Sequence, residues 1–311
     1  MKVDNLETFI VGNPPPYYGG RYFILIKVKS NSFSNAKVDS ENGPYPLIIF
    51  SHGLSGYRTQ NTVIMEELAS HGYVVIQPTH FDSSSLGFVT KRDNMREMYQ
   101  QMLFVTDSRR QDMSFIVDSL DSIEELVPDL ENKLDTTKLV AAGHSMGAAT
   151  AMIVAGMTLV NPMDGYEETS NEPRYKDILM ICATSTMALM PPDPWKGVKV
   201  PTLISTGTKD FSDVGSGRIN APFKYEVPKS MTRSFAPHHY VLIDGADHYL
   251  GGLICRTDVP GPPQYEELEI AASASTTFLN AYVKNDINAW RSIRFGDLSE
   301  ATDGKASIAL K

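Results

Sequence analysis

Ser145 stands at the centre of Gly143-His144-Ser145-Met146-Gly147, with the apolar run "KLVAAG" before it and the small-residue stretch "MGAATAMIV" after it. This is a G-x-S-x-G pattern between a strand candidate and a helix candidate. In that setting the serine occupies a tight strand-to-helix turn and its hydroxyl is lifted clear of the sheet edge. Flanking glycines suit a strained backbone with close neighbours. A serine hydroxyl is a weak nucleophile at neutral pH, so it needs a base, and the base needs an orienting acid. With a serine elbow of this kind the chain order is Ser, acid, His. Of seven histidines, only His238, His239 and His248 follow Ser145. His248 lies in "IDGADHYLGG", just past the last strand candidate. His238 and His239 precede that strand and would sit at the other end of the sheet. His248 is therefore the expected base. Asp210 ends "VPTLISTGTKD" and is the expected acid, with Asp213 its nearest competitor and Asp193 a weaker one. Asp247, adjacent to His248 in sequence, should point away from the ring.

Attack on an ester carbonyl also needs donors for the developing oxyanion. One is the backbone N–H after the nucleophile, on Met146. The other is expected from Leu54, in the "SHGLSGYRT" loop that follows "PLIIF". His52 and His144 are read as structural, His52 bracing its loop by hydrogen bonding. Tyr57 in that loop, and Met187 and Trp195 in "TMALMPPDPW", are expected to line the substrate site. An apolar wall of this kind suits an acyl or aryl group.

These residues need a scaffold. "YPLIIFSHG" (45–53), "YVVIQPTH" (73–80), "KLVAAG" (138–143), "DILMICAT" (177–184), "VPTLISTG" (200–207) and "HYVLIDG" (239–245) are short and mostly apolar on both faces. That is how strands buried in a parallel sheet read. Helices are expected over 60–72, 108–127, 146–160 and 265–284. Strand and helix alternation predicts an α/β architecture: a mostly parallel, doubly wound sheet with helices on both faces. Residues 161–176, with four acidic side chains, read as a solvated loop. The chain divides into an N-terminal leader, 1–44, and one catalytic domain, 45–311. The leader holds the strand candidate "RYFILIKVK" (21–29), expected at a sheet edge, and a polar loop.

The chain has 311 residues, 42% hydrophobic and 21% charged, with a formal net charge of -9. An acidic balance argues against nucleic acid, whose phosphates need clustered Lys and Arg. No apolar run approaches the roughly 20 residues that span a bilayer. The N-terminus has no signal-peptide core, so a cytoplasmic location is expected. Cys182 and Cys255 read as buried free thiols. No CxxC, HExxH, GxGxxG or P-loop pattern occurs, so neither metal nor cofactor is expected. The expected partner is a small-molecule ester.

The stretches "YPLIIFSHGLSGYRTQ", "ELASHGYVVIQPTH", "GHSMGAA", "VPTLISTGTKD" and "DGADHYLGG" together resemble one branch of the α/β-hydrolase superfamily. It is the branch of dienelactone-hydrolase-like esterases and platelet-activating-factor acetylhydrolases. The resemblance runs from about Tyr45 to Lys284. It implies an α/β-hydrolase fold, a serine carboxylesterase and an oxyanion hole from Leu54 and Met146. The chain departs from dienelactone hydrolase, whose nucleophile is cysteine. It departs from plasma-type acetylhydrolases too, because the stretch matching their acid, "CATSTMAL" (182–189), holds no carboxylate. Separately, "LETFIVGNPPPYYGGRYFILIKVKS" resembles the first strand region of mandelate-racemase-type proteins of the enolase superfamily; that superfamily's bases and metal carboxylates have no counterpart here. The same triad would also serve an amidase, a peptidase or a perhydrolase, and a non-catalytic binding protein is the reading from outside enzymes.

Overall fold

The computed structural model describes residues 6–12, 22–28, 30–33, 35–39, 41–56, 58–81, 95–183, 189–190, 193–210, 236–254 and 262–310. Strands β1 (Leu6–Gly12) and β2 (Tyr22–Val28) pair antiparallel with each other in a ribbon of their own. The strand candidate of the leader is β2, and its partner is β1, not an edge of the main sheet.

The main sheet is built from β3 (Tyr45–Ser51), β4 (Val74–Ile76), β5 (Leu134–His144), β8 (Tyr175–Ile181), β9 (Thr202–Lys209), β10 (His238–Asp247) and β11 (Ala306–Leu310). Its order is β11-β10-β9-β8-β5-β3-β4. Every neighbouring pair is parallel except β10 with β11. The apolar runs follow from burial on both faces. In β3, Leu47 and Ile49 enter one core cluster while Ile48 and Phe50 enter the other. In β5, Leu139 and Ala141 face one way, Val140 and Ala142 the other. Side chains alternate along a strand, so a sheet covered on both faces needs apolar residues at consecutive positions.

Helices supply the two covers. One face carries α2 (Met95–Asp118), α3 (Leu120–Leu126) and α4 (Met146–Val154), which contribute Met113, Val117, Leu120 and Met152 to its core. The other carries α1 (Thr62–Ser70), α5 (Tyr265–Tyr282) and α6 (Ile287–Phe295), which contribute Ile64, Leu68, Phe278 and Ile293. A short α7 (Leu298–Ala301) leads into β11. Asp286 and Asp297 cap α6 and α7 by accepting backbone N–H bonds.

Three expectations are corrected. The helix foreseen over 146–160 ends at Val154, and Ala155–Val160 forms β6. Gly156 has φ 108, which no helix accepts, and a Cβ there would meet the Gly197 carbonyl at 2.6 Å. Strand β6 pairs antiparallel with β7 (Glu167–Asn171), so the polar stretch 161–176 is partly a strand and not wholly a loop. The helix foreseen over 108–127 starts earlier, at Met95, and breaks at Ser119 into α2 and α3.

Candidate active site

The elbow is built by contact, not by the serine. Ser145 follows directly on β5 and holds φ 55, ψ -117, outside the ordinary range of a residue with a side chain. Its N–H donates to the Ile181 carbonyl at 3.0 Å, fixing the turn to the end of β8. A Cβ at Gly143 would lie 2.2 Å from the Gly147 backbone, and one at Gly147 would lie 1.8 Å from the Ser51 carbonyl. Both glycines are therefore required by packing between β5, α4 and β3. Helix α4 is buried throughout, so the nucleophile rests on a rigid base.

Strands β9 and β10 run parallel to β5 within the sheet, so Asp210 and His248 emerge at the same strand ends as Ser145. His248 Nδ1 lies 2.7 Å from Asp210 Oδ1, across 38 residues of sequence. Asp210 Oδ2 accepts from Thr206 Oγ1 at 2.6 Å. Burial works to raise the Asp210 carboxyl, but the hydrogen bonds from His248 and Thr206 outweigh it and hold the group below its ordinary value. An acceptor at Nδ1 selects the tautomer whose Nε2 is free to take a proton. His248 and Ser145 are both nearly buried.

The loop carrying His248 is braced from three sides. His144 Nε2 donates to the His248 carbonyl at 2.8 Å, and the two rings lie 4.7 Å apart. Asp247 turns away from the ring and accepts the N–H groups of Tyr249 and Gly251 at 2.8 and 3.0 Å. Gln264 accepts from the Asp247 N–H at 3.0 Å and donates to the Gly245 carbonyl at 2.8 Å. Thr206 and Gln264 carry no motif; each is a polar residue identifiable only once the strand ends are in place.

Met146 is the first residue of α4, so its N–H has no intrahelical acceptor. In the loop after β3, the Gly53 N–H donates to Gln60 Oε1 at 2.5 Å, and Gly56 N–H donates to the Gly53 carbonyl at 3.1 Å. Leu54 follows in that braced turn. Tyr57 and Met187 lie outside the described residues, as do Asp213 and Cys255. Trp195 is corrected: it is buried in the core with its ring 5.1 Å from His238, at the start of β10. That is the opposite end of the sheet from Ser145. Asp193 lies close by in sequence, just before Trp195. Cys182 is a free, fully buried thiol.

Among the described residues, one group has N and S atoms close enough to suggest a metal: His144, Cys182 and His248, within 4.8 Å of one another. One nitrogen of each ring is engaged, His144 Nε2 with a carbonyl and His248 Nδ1 with Asp210. Burial and the neighbouring Asp210 push the Cys182 thiol well up, away from the thiolate a metal needs. The set fits support of the His248 ring better than a metal centre.

Residues 21–119 match the family "Platelet-activating factor acetylhydrolase, isoform II". A platelet-activating factor acetylhydrolase of Canis lupus familiaris is 27% identical over 48% of this chain and 43% of its own length. That of Cavia porcellus is 33% identical over 35% of this chain and 31% of its own. The chain thus spans less than half the length of these relatives. Cutinase 2 of Thermobifida cellulosilytica is 24% identical over 79% of this chain and 71% of its own. A solved ferulic acid esterase from Streptomyces cinnamoneus superimposes with a TM-score of 0.57 at 17% identity, covering 85% of this chain and 74% of that one. Among the described residues no helix is long and apolar enough to cross a membrane. The parallel sheet and the likeness to the solved ferulic acid esterase together show an α/β-hydrolase fold.

Proposed function

We propose that the chain is a carboxylic ester hydrolase that works through an acyl-enzyme on Ser145. The Ser145 hydroxyl attacks the ester carbonyl and gives its proton to His248 Nε2. His248 returns that proton to the leaving alcohol. Water then attacks the acyl-enzyme with His248 again as base. Asp210 holds the ring and stabilises the imidazolium. The N–H groups of Leu54 and Met146 receive the oxyanion, each such donor contributing about 2.7–4 kcal/mol of transition-state stabilisation. The observation that carries the reading is the conjunction of a strained serine elbow with the 2.7 Å His248–Asp210 pair at the same end of the sheet. The relatives named for acetyl, cutin and ferulic esters support small to medium or short-acyl esters as the substrate class.

The test is labelling by a fluorophosphonate together with a panel of p-nitrophenyl esters of increasing acyl length. Stoichiometric labelling, lost in Ser145→Ala, and turnover favouring short chains are expected. Wild-type protein that neither labels nor turns over any ester would overturn the proposal. Faster cleavage of anilides than of esters would transfer the same triad to an amidase.

A further inference from the structure

A second polar network lies beneath the proposed oxyanion loop, and none of its members belongs to the triad. Arg109 on α2 is wholly buried. Its Nη1 donates to Ser51 Oγ at 3.1 Å and to the His52 carbonyl. Its Nη2 donates to the Gly53 carbonyl at 3.1 Å. Ser51 Oγ in turn lies 2.9 Å from His80 Nε2, and His80 Nδ1 lies 2.7 Å from Asp112 Oδ2.

Proton placement in this network is forced. A carboxylate at Asp112 accepts, so His80 Nδ1 carries the proton and Nε2 accepts from the Ser51 hydroxyl. Ser51 Oγ is then free to accept from Arg109. His52 is fixed in the same way. The His80 backbone N–H donates to His52 Nε2 at 3.0 Å, so Nδ1 carries the proton and donates to the Gly53 carbonyl at 2.7 Å. The 3.3 Å approach of Arg109 Nη2 to His52 Nδ1 is then a contact and not a donation. Burial pulls both imidazoles below their ordinary value, and the Arg109 charge adds to it, so both rings stay neutral.

The Gly53 carbonyl therefore receives three donors: Arg109 Nη2, His52 Nδ1 and the Gly56 N–H. That carbonyl and the Leu54 N–H belong to one trans peptide, in which C=O and N–H point in opposite directions. Gripping the oxygen on one side aims the N–H to the other. Donation to a carbonyl also polarises its peptide and strengthens the N–H as a donor. Burying a guanidinium is costly, and here the charge faces carbonyl oxygens with its balancing carboxylate two groups away.

Resting on the serine-esterase reading above, we propose that Arg109 is a positioning residue that aims and polarises the Leu54 N–H as an oxyanion donor. Asp112, reached through His80 and Ser51, sets the orientation of that guanidinium. Arg109 touches no reacting atom; its effect falls on the transition state and not on ester binding.

The test uses the full chain with the Arg109→Lys, Arg109→Gln and Asp112→Asn variants, and an ester paired with its thionoester. The ratio of kcat/KM for the two, taken on one preparation, cancels the folded fraction. A well-formed oxyanion site favours oxygen over the larger sulfur, so misaiming a donor collapses the ratio. Arg109→Lys and Arg109→Gln are expected to lower kcat about 10- to 100-fold with KM within threefold, and to lower the ratio at least fivefold. Asp112→Asn, at a half-exposed position that tolerates exchange, is expected to lower the ratio two- to fivefold. An unchanged ratio in Asp112→Asn and in any folded Arg109 variant would overturn the inference while leaving the esterase reading intact. Absence of ester turnover in the wild type would instead overturn the esterase reading.

Discussion

The site's polar residues divide by what each one touches. Asp210 hydrogen-bonds the His248 ring and the Thr206 hydroxyl and lies beside the Cys182 thiol, so in the proposed reaction its work is orientation and charge. Asp210→Asn should lower kcat roughly 10⁴-fold, because an amide presents the wrong partner to Nδ1 and favours the wrong tautomer. Near-wild-type turnover would move the acid to another residue. His248→Ala should cost about as much or more, roughly 10⁴- to 10⁶-fold, with ester affinity little changed. Steady-state kinetics on a p-nitrophenyl ester checks both. At this scale chain order made one contact legible: Asp210 and His248, expected together from two post-strand loops after the G-x-S-x-G elbow, lie 2.7 Å apart. The sequence was silent on Arg109, His80 and Asp112, which lie on different elements with no spacing rule between them. Trp195 misled because an aromatic beside prolines reads equally as a pocket wall and as core, and only the strand direction separates the two.

At the scale of elements, the decisive packing is the crossing of α4 behind β3 and β5. The 1.8 Å that a Cβ on Gly147 would leave to the Ser51 carbonyl cannot be relieved by a rotamer change. Gly147→Ala should therefore destabilise by more than about 4 kcal/mol or prevent folding, and thermal unfolding of the purified variant measures it. A variant with an unchanged midpoint would mean that the elbow shifts freely. Apolar runs read correctly as strands wherever both faces are covered, as in β3, β5, β8 and β9. They read poorly past Val154, where a continuous small-residue run hides a change from helix to strand at Gly156. Strand β11 escaped notice too: "ASIAL" is five residues long and its pairing with β10 is wholly non-local.

Over the whole molecule, buried titratable groups set opposing pH dependences. Burial lowers His238 and His239 to about 4, and among the described residues neither ring nitrogen of His238 has a hydrogen-bond partner. Between pH 4 and 6.5 the unfolded chain binds these two protons and the folded chain does not, so stability rises with pH there. Asp177, buried on β8, is raised to about 7 and acts in the other direction from its unfolded value near 3.8. His52 and His80, also lowered by burial, act with His238 and His239 against the one carboxyl, so the balance favours protonation of the unfolded state. The urea midpoint should therefore climb from pH 4.5 to 6.5, and His238→Phe should flatten that climb. A flat profile in the wild type would show that these rings are hydrated in solution. The doubly wound parallel architecture was legible from short apolar runs alternating with helices, because burial on both faces of a sheet favours apolar residues at consecutive positions.

Strand β11 has a practical consequence. Among the described residues it is the sheet's one antiparallel member, it covers the outer edge of β10, and His248 follows directly on β10. Gly304, at φ 84 and with open space around its Cα, marks a turn where the chain can be cut with little strain. A protein ending there would present the backbone of His239–Ile243 as a bare edge, prone to self-association. The missing seven-residue segment, 305–311, added as a separate molecule, has a ready-made groove of hydrogen-bonding groups to fill. If the proposed esterase activity holds, turnover of a chromogenic ester would then report on the supply of that peptide, making a two-part sensor.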